Sequence, residues 1–248
     1  TSRNAWRIDE NGKKQRLNSF SVKCVTEDKN GDLLIGTWSS GLMRLKRGSN
    51  VFRSYPKLND INSAYSLFFD RNHRLWVGTW GYGVLCISNP DNLKNPQYHQ
   101  YPYTTNNFDI FYKFVEDPTT HTLWACTREG ICFLDENLPQ ASWQKYTQIG
   151  NSRLIYCNDI CTDGGATSGS ARRMMESANY YHTIALQAVA LGNLQNAPTI
   201  NYVNAILTTD GAWFWLGLNP YGVALYNRYT GATYYNSEIP GFGSLHDY

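Results

Sequence analysis

Apolar and polar residues alternate along this chain in short runs, and each run leads into a cluster of turn-forming residues. The runs are Ser21-Val22-Lys23-Cys24-Val25, Ala64-Tyr65-Ser66-Leu67-Phe68, Ile110 to Val115, Ile155 to Ile160 and Tyr202 to Ile206. Alternation with a period of two over five or six residues predicts a half-buried β-strand. Each run is followed by an Asp-led turn: Asp28-Lys29-Asn30-Gly31, Asp70-Arg71-Asn72-His73, Asp117-Pro118-Thr119-Thr120, Asp163-Gly164 and Asp210-Gly211. Asp caps such turns with its side chain, while Gly or Asn takes the left-handed position. A more continuously apolar strand comes next, patterned Leu/Trp-x-Gly-Thr. Last comes a hairpin that opens at Gly41, Gly83, Gly130 or Gly222. It ends in an aromatic strand: Phe52 to Tyr55, Tyr98 to Tyr101, Trp143 to Tyr146 and Thr233 to Asn236.

These four parts recur as a unit. Asp32-Leu33-Leu34-Ile35-Gly36-Thr37-Trp38 returns as Arg74-Leu75-Trp76-Val77-Gly78-Thr79-Trp80. Looser copies are Thr122-Leu123-Trp124-Ala125-Cys126-Thr127 and Trp213-Phe214-Trp215-Leu216-Gly217-Leu218. Gly36 and Gly78 are 42 residues apart and Gly78 and Cys126 are 48 apart. The step from Cys126 to Gly217 is 91, about two periods, so one degenerate copy lies between. Four short strands every ~40–50 residues is the pattern of a β-propeller blade. The expected fold is all-β: a propeller of four-stranded antiparallel blades, about five to six of them. The blades fall at about 17–58, 59–103, 104–150, 151–198 and 199–240, with 1–16 and 241–248 belonging to a flanking or closing blade. Blades bury their faces against one another, so Trp76, Trp124 and Trp215 fill the space between them, and Gly in the second strand admits a neighbour's side chains. The fourth copy loses the pattern after Asp163, and 171–195 reads equally as strand or as helix.

Composition narrows the role. Aromatics make up 15% and charged residues 17%, which excludes coiled coils and wholesale disorder. Net charge is +2 with no basic stripe, against a nucleic-acid partner. The longest apolar stretches, Ile184 to Leu191 and Ala212 to Leu218, are far below the ~18 residues of a membrane helix, so no membrane contact by this chain is expected. The N-terminus is polar and shows no signal-peptide pattern, which fits a cytosolic chain or a mature or excised piece of an exported protein. None of the six Cys lies in a CxxC, so zinc and thioredoxin-type sites fail on spacing. Most read as small buried hydrophobes; Cys126 and Cys132, which flank one tight turn, are alternatively a disulfide pair.

The phrase D-x-N-G-x-L-W-I-G-T-x-x-x-G-L, clearest at Asp28 to Leu42 and Asp70 to Val84, resembles the two-component regulator propeller repeat. The resemblance covers about residues 17–248 and is weakest in the fourth copy. It implies the periplasmic or cell-surface sensor region of a Bacteroidetes hybrid histidine kinase, a class that generally responds to glycans. The same repeats also occur in exported proteins with no kinase attached. The chain itself has no phosphoacceptor His segment and no ATP-binding Gly box. Residues Ala5 to Leu17 read as the last hairpin of a further blade.

No GxSxG, HExxH or P-loop is present, the five His are scattered, and neither a catalytic residue, a metal nor a cofactor is expected. A propeller lyase or lactonase would draw on Lys23, Tyr65, Tyr112, Lys113, Asn158, Asp159 and Asn204 of the first strands, a set poor in carboxylates and His. Ligand contact is expected in the loops between second and third strands and between blades. These hold Trp38, Trp80, Tyr82, Arg128, Glu129, Asn219 and Tyr221, with Asn106 and Asn107 from a connector. Flat aromatics with amide and charged neighbours suit an oligosaccharide: ring faces stack and hydroxyls pair. Trp38 and Trp80 share one repeat position, which favours inter-blade packing over ligand contact for these two. A protein partner or a homodimer is the alternative occupant of the same face.

Overall fold

The computed structural model describes residues 5–17, 20–58, 61, 63–101, 110–118, 120–134, 136, 143–146, 148–149, 152–153, 157–162, 202–208, 210–219, 222–227, 229–235 and 238–239. Among these residues all regular structure is strand, apart from short 3-10 pieces such as Pro56–Leu58. Two compact units divide at Phe114 and Val115.

The first unit opens with a hairpin of β1 (Trp6–Ile8) and β2 (Lys14–Arg16). Two four-stranded antiparallel blades follow. One is β3 (Val22–Glu27), β4 (Leu33–Thr37), β5 (Leu42–Leu45) and β6 (Phe52–Ser54), paired in chain order. The next is β7 (Ala64–Phe69), β8 (Leu75–Thr79), β9 (Val84–Ile87) and β10 (Tyr98–Tyr101), also in chain order. The second unit begins within β11 (Phe111–Glu116), which pairs onward to β12 (Leu123–Thr127), β13 (Gly130–Leu134) and β14 (Gln144–Tyr146). A small hairpin of β15 (Gln148–Ile149) and β16 (Ser152–Arg153) comes next. The last blade is β17 (Tyr202–Thr208), β18 (Trp213–Asn219), β19 (Gly222–Asn227) and β20 (Thr233–Tyr235). The fold is the all-β, four-stranded propeller-blade architecture expected from the repeat. The segment 171–195 lies outside the described residues.

The Asp-led turns work as the sequence predicts. Asp28 Oδ1 accepts from the backbone N–H of Asn30 and Asp32, at 2.8 and 2.9 Å. Asp70 does the same for Asn72 and Arg74, and Asp210 for Ala212 and Trp213. Gly31 sits at φ 80°, and His73 and His121 hold the matching left-handed position at 58° and 60°. A Cβ is strained there, so these His are turn residues under backbone constraint. The hairpin of β1 and β2 repeats the device, with Asp9 Oδ1 capping Asn11 and Lys13 and Gly12 at φ 77°.

Within the first unit the two blades pack face to face. Leu34, Leu42 and Tyr55 from one meet Leu75, Val77, Leu85 and Ile87 from the other in one buried cluster. Period-two alternation puts Trp76 on the reverse face of its blade, where it is 1% exposed and stacks on Tyr101 at 5.8 Å. Gly36 and Gly78 let the neighbouring strand come close. A Cβ at Gly36 would lie 2.6 Å from Ala64 O, and one at Gly78 would lie 2.6 Å from Phe111 Cβ. The first strands carry a shared irregularity: register shifts between Val22 and Cys24, between Ala64 and Ser66, and between Val203 and Ala205. Beside the shift, Ser66 Oγ donates to Phe111 O at 2.6 Å and Cys24 Sγ to Ala64 O at 3.8 Å, both within the first unit.

In the second unit Trp124, Phe133 and Tyr146 form a continuous aromatic run, with centroid spacings of 5.0 and 5.4 Å. The last blade buries Phe214, Leu216, Leu218 and Ala224 around Ile206. Residues 157–162 form no strand, unlike the alternating segment expected at Ile155 to Ile160. They still bridge the sheets: Cys157 N–H donates to Thr127 O, and Asp159 Oδ2 accepts from Ile206 N–H. The disulfide alternative is corrected. All six Cys are free, and Cys126 pairs with Ile131 while Cys132 pairs with Ala125. That one-residue offset sends the two thiols to opposite faces of the sheet.

Candidate ligand-binding face

The loops between second and third strands are built on a buried threonine. Thr37, Thr79 and Thr127 are each 0% exposed. Thr37 Oγ1 donates to Gly41 O at 2.8 Å and accepts from Ser40 N–H at 2.9 Å. Thr79 Oγ1 donates to Gly83 O and accepts from Tyr82 N–H, at 2.7 and 3.1 Å. Thr127 repeats this with Gly130 O and Glu129 N–H. One hydroxyl used as donor and acceptor closes the loop on itself and holds the following side chains at the sheet end. Leu218 holds this position in the last blade, where no hydroxyl can act.

The first two of these loops present an aromatic cluster. Trp38 and Trp80 meet edge to face, with centroids 4.6 Å apart at 74°. Their backbones are fixed by Trp38 N–H to Ser21 O and Trp80 N–H to Ser63 O. Trp38 is 36% exposed and the adjoining Tyr82 is 46% exposed. The Lys23 ammonium lies 4.5 Å from the Trp38 ring centre and 4.7 Å from that of Tyr65. Tyr65 in turn meets Tyr112 edge to face at 5.5 Å. Trp38 and Trp80 therefore pack on each other and still present ring surface to solvent. Ring faces stack on the apolar side of a pyranose, and the ammonium and phenols offer donors to hydroxyls.

The remaining predicted residues fall elsewhere. In the second unit Arg128 is exposed, and Glu129 is half-buried and accepts from Lys145 Nζ at 3.1 Å. Asn219 ends β18, while Tyr221, Asn106 and Asn107 lie outside the described residues. The sequence places Lys23, Tyr65 and Tyr112 on first strands, as residues of a hypothetical enzyme channel, and does not show them as partners of the tryptophans. The available signal was that Lys23 and Tyr65 hold one repeat position, the residue passed over by the register shift. Among the described residues no group of three or more His, Cys, Asp or Glu is placed to hold a metal ion.

Comparison with known proteins places the repeat. The two-component regulator propeller family matches residues 59–81. The extracellular domain of a hybrid two-component system from B. thetaiotaomicron superposes with a TM-score of 0.50 at 17% identity, over 90% of this chain and 25% of that one. PorZ, a surface component of the type-IX secretion system of Porphyromonas gingivalis, gives 0.47 at 12% identity, over 94% of this chain and 31% of its own. A 52-residue stretch is 40% identical to the sodium channel neurotoxin MeuNaTxalpha-3 of Mesobuthus eupeus, covering 21% of this chain and 62% of the toxin. The chain thus spans less than two thirds of the toxin and about a quarter to a third of the solved chains.

Proposed function

We propose that this chain, whose residues 59–81 match the two-component regulator propeller family, is the sensor region of a two-component signalling protein acting outside the cytoplasm. Its ligand is an oligosaccharide, bound on the face that carries Trp38, Trp80 and Tyr82, and its role is binding without catalysis. The observation that carries this reading is the partly exposed Trp38–Trp80 pair, 4.6 Å apart, beside an ammonium held between two rings. Tryptophan exposed at a sheet end, on loops fixed by buried hydroxyls, is a preorganised stacking surface. The extracellular two-component domain that shares the fold supports the setting.

A thermal-shift screen over defined oligosaccharides tests it. One glycan class should raise the Tm, since a ligand at 100 times its Kd adds about 2.7 kcal/mol. The shift should vanish in Trp80→Ala protein of unchanged circular dichroism. A flat response across the panel sinks the glycan reading in favour of a protein partner on the same face.

A further inference from the structure

The strands that end at the tryptophan loops begin, at the other end of the same two blades, at the turns Asp28 to Gly31 and Asp70 to His73. Between these turns and the residues after β9 lies a cleft of about 360 Å³. That volume falls in the range of small-molecule sites, about 300–1,000 Å³. Its lining is dense in side-chain amides, Asn30, Asn72, Asn89 and Asn92, with Ser88 and His73 beside them and one ring from Phe69.

Two observations separate this cleft from a gap between blades. The first is its wall. The connection from β9 to β10 runs Ser88 to Gln97, whereas that from β5 to β6 runs only Lys46 to Val51. The longer connection is ordered from within: Ser88 N–H donates to Gln97 O, Asn92 N–H to Asn89 O, and Asn95 N–H to Asn92 Oδ1. It is also pinned to the preceding blade. Pro90 O accepts from Arg44 Nη1 at 3.1 Å and from Tyr55 OH at 2.6 Å, and Asp91 pairs with Arg44 at 2.7 Å. The second is unused capacity. Asn30 and Asn72 spend their backbone N–H groups on Asp28 and Asp70, and their side-chain amides make no hydrogen bond among the described residues.

Charge decides the ligand class. One guanidinium, Arg44, is shared by Asp28, Asp32 and Asp91, and with Lys29 in the lining three carboxylates face two cations, a small negative excess that disfavours an anionic ligand. Lys29 alone makes no anion site. Side-chain amides offer a donor and an acceptor side by side, which matches vicinal hydroxyls. We propose that this cleft is a second binding site, separate from the tryptophan face, for a neutral polyhydroxylated ligand of monosaccharide or disaccharide size.

Saturation-transfer NMR on the whole chain tests this with neutral hexoses, pentoses and 6-deoxyhexoses and with glucuronic and galacturonic acid. At least one neutral sugar should bind. Asn30→Ala and Asn72→Ala, both on exposed turns, should each weaken it up to about tenfold, the loss of one or two hydrogen bonds. Trp80→Ala should leave it unchanged. Binding of no neutral sugar, preference for the uronic acids, indifference to both Asn variants, or loss with Trp80→Ala would each overturn the proposal. The last result would move the sugar to the tryptophan face.

Discussion

Arg44 donates to Asp28 Oδ2 at 2.6 Å from a guanidinium that is 5% exposed. In the next blade the matching oxygen of Asp70 accepts instead from the Trp76 indole N–H, at 2.8 Å. The registers explain the exchange: Leu34 pairs with Arg44 where Trp76 pairs with Cys86. Asp70 Oδ2 also accepts from Arg74 Nε at 2.7 Å, so the cation comes from the third strand in one blade and from the residue before the second strand in the other. Arg44→Ala leaves Asp28 and Asp32 without their cation and should cost about 3–5 kcal/mol in urea unfolding. Transplanting the second blade's set, Asp32→Arg with Leu34→Trp and Arg44→Cys, should recover at least half of that loss.

The glycines of the second strands differ in what they exclude. Ala at Gly36 or Gly78 drives a methyl into the neighbouring strand and should cost on the order of 1–3 kcal/mol. Ala at Gly217 meets Ala205 alone, with its nearest atom, Cβ, at 3.2 Å, and should change stability far less. Chemical denaturation of the three single variants gives the ranking directly.

Much of the fold was legible because the repeat sets one residue type against one physical demand. Gly36 and Gly78 mark close approach, Asp28 and Asp70 mark capped turns, and Trp76 and Trp124 mark buried faces. Arg44 was not legible. It replaces Cys86, Phe133 and Leu225 at its repeat position, and its partners come from turns far apart in the chain. Cys126 and Cys132 misled for the opposite reason: nearness in sequence hides the face that each strand position takes. Trp38 and Trp80 were legible as candidates, but the ammonium between Trp38 and Tyr65 depends on two strands and a loop meeting in space.

Burial pushes the Cys24 thiol from an ordinary value near 9.0 up to about 12. At pH 8 the thiolate fraction then falls about a thousandfold, and thiolate is the reacting species. Cys24 should resist iodoacetamide in the native protein and react readily in urea, as mass spectrometry of the peptide that contains it will show.

The backbone N–H of Arg47 donates to Asp32, and burial opposes this and other favourable contacts, including Arg44, without cancelling them. The net effect holds this carboxyl below the usual carboxylate range. A carboxyl depressed on folding adds stability above its unfolded value, near pH 4, and loses it as pH falls through the folded value. Asp32→Asn should therefore lower the Tm at pH 7 and flatten the fall in Tm below about pH 4.

The proposal of an oligosaccharide on the tryptophan face is tested most directly by calorimetric titration of the glycan that raises the Tm, against wild type and Trp80→Ala. The predicted result is one site on the wild type, with affinity at least about tenfold weaker in the variant, as loss of an aromatic stacking contact requires. Equal affinity in a folded Trp80→Ala protein would contradict it.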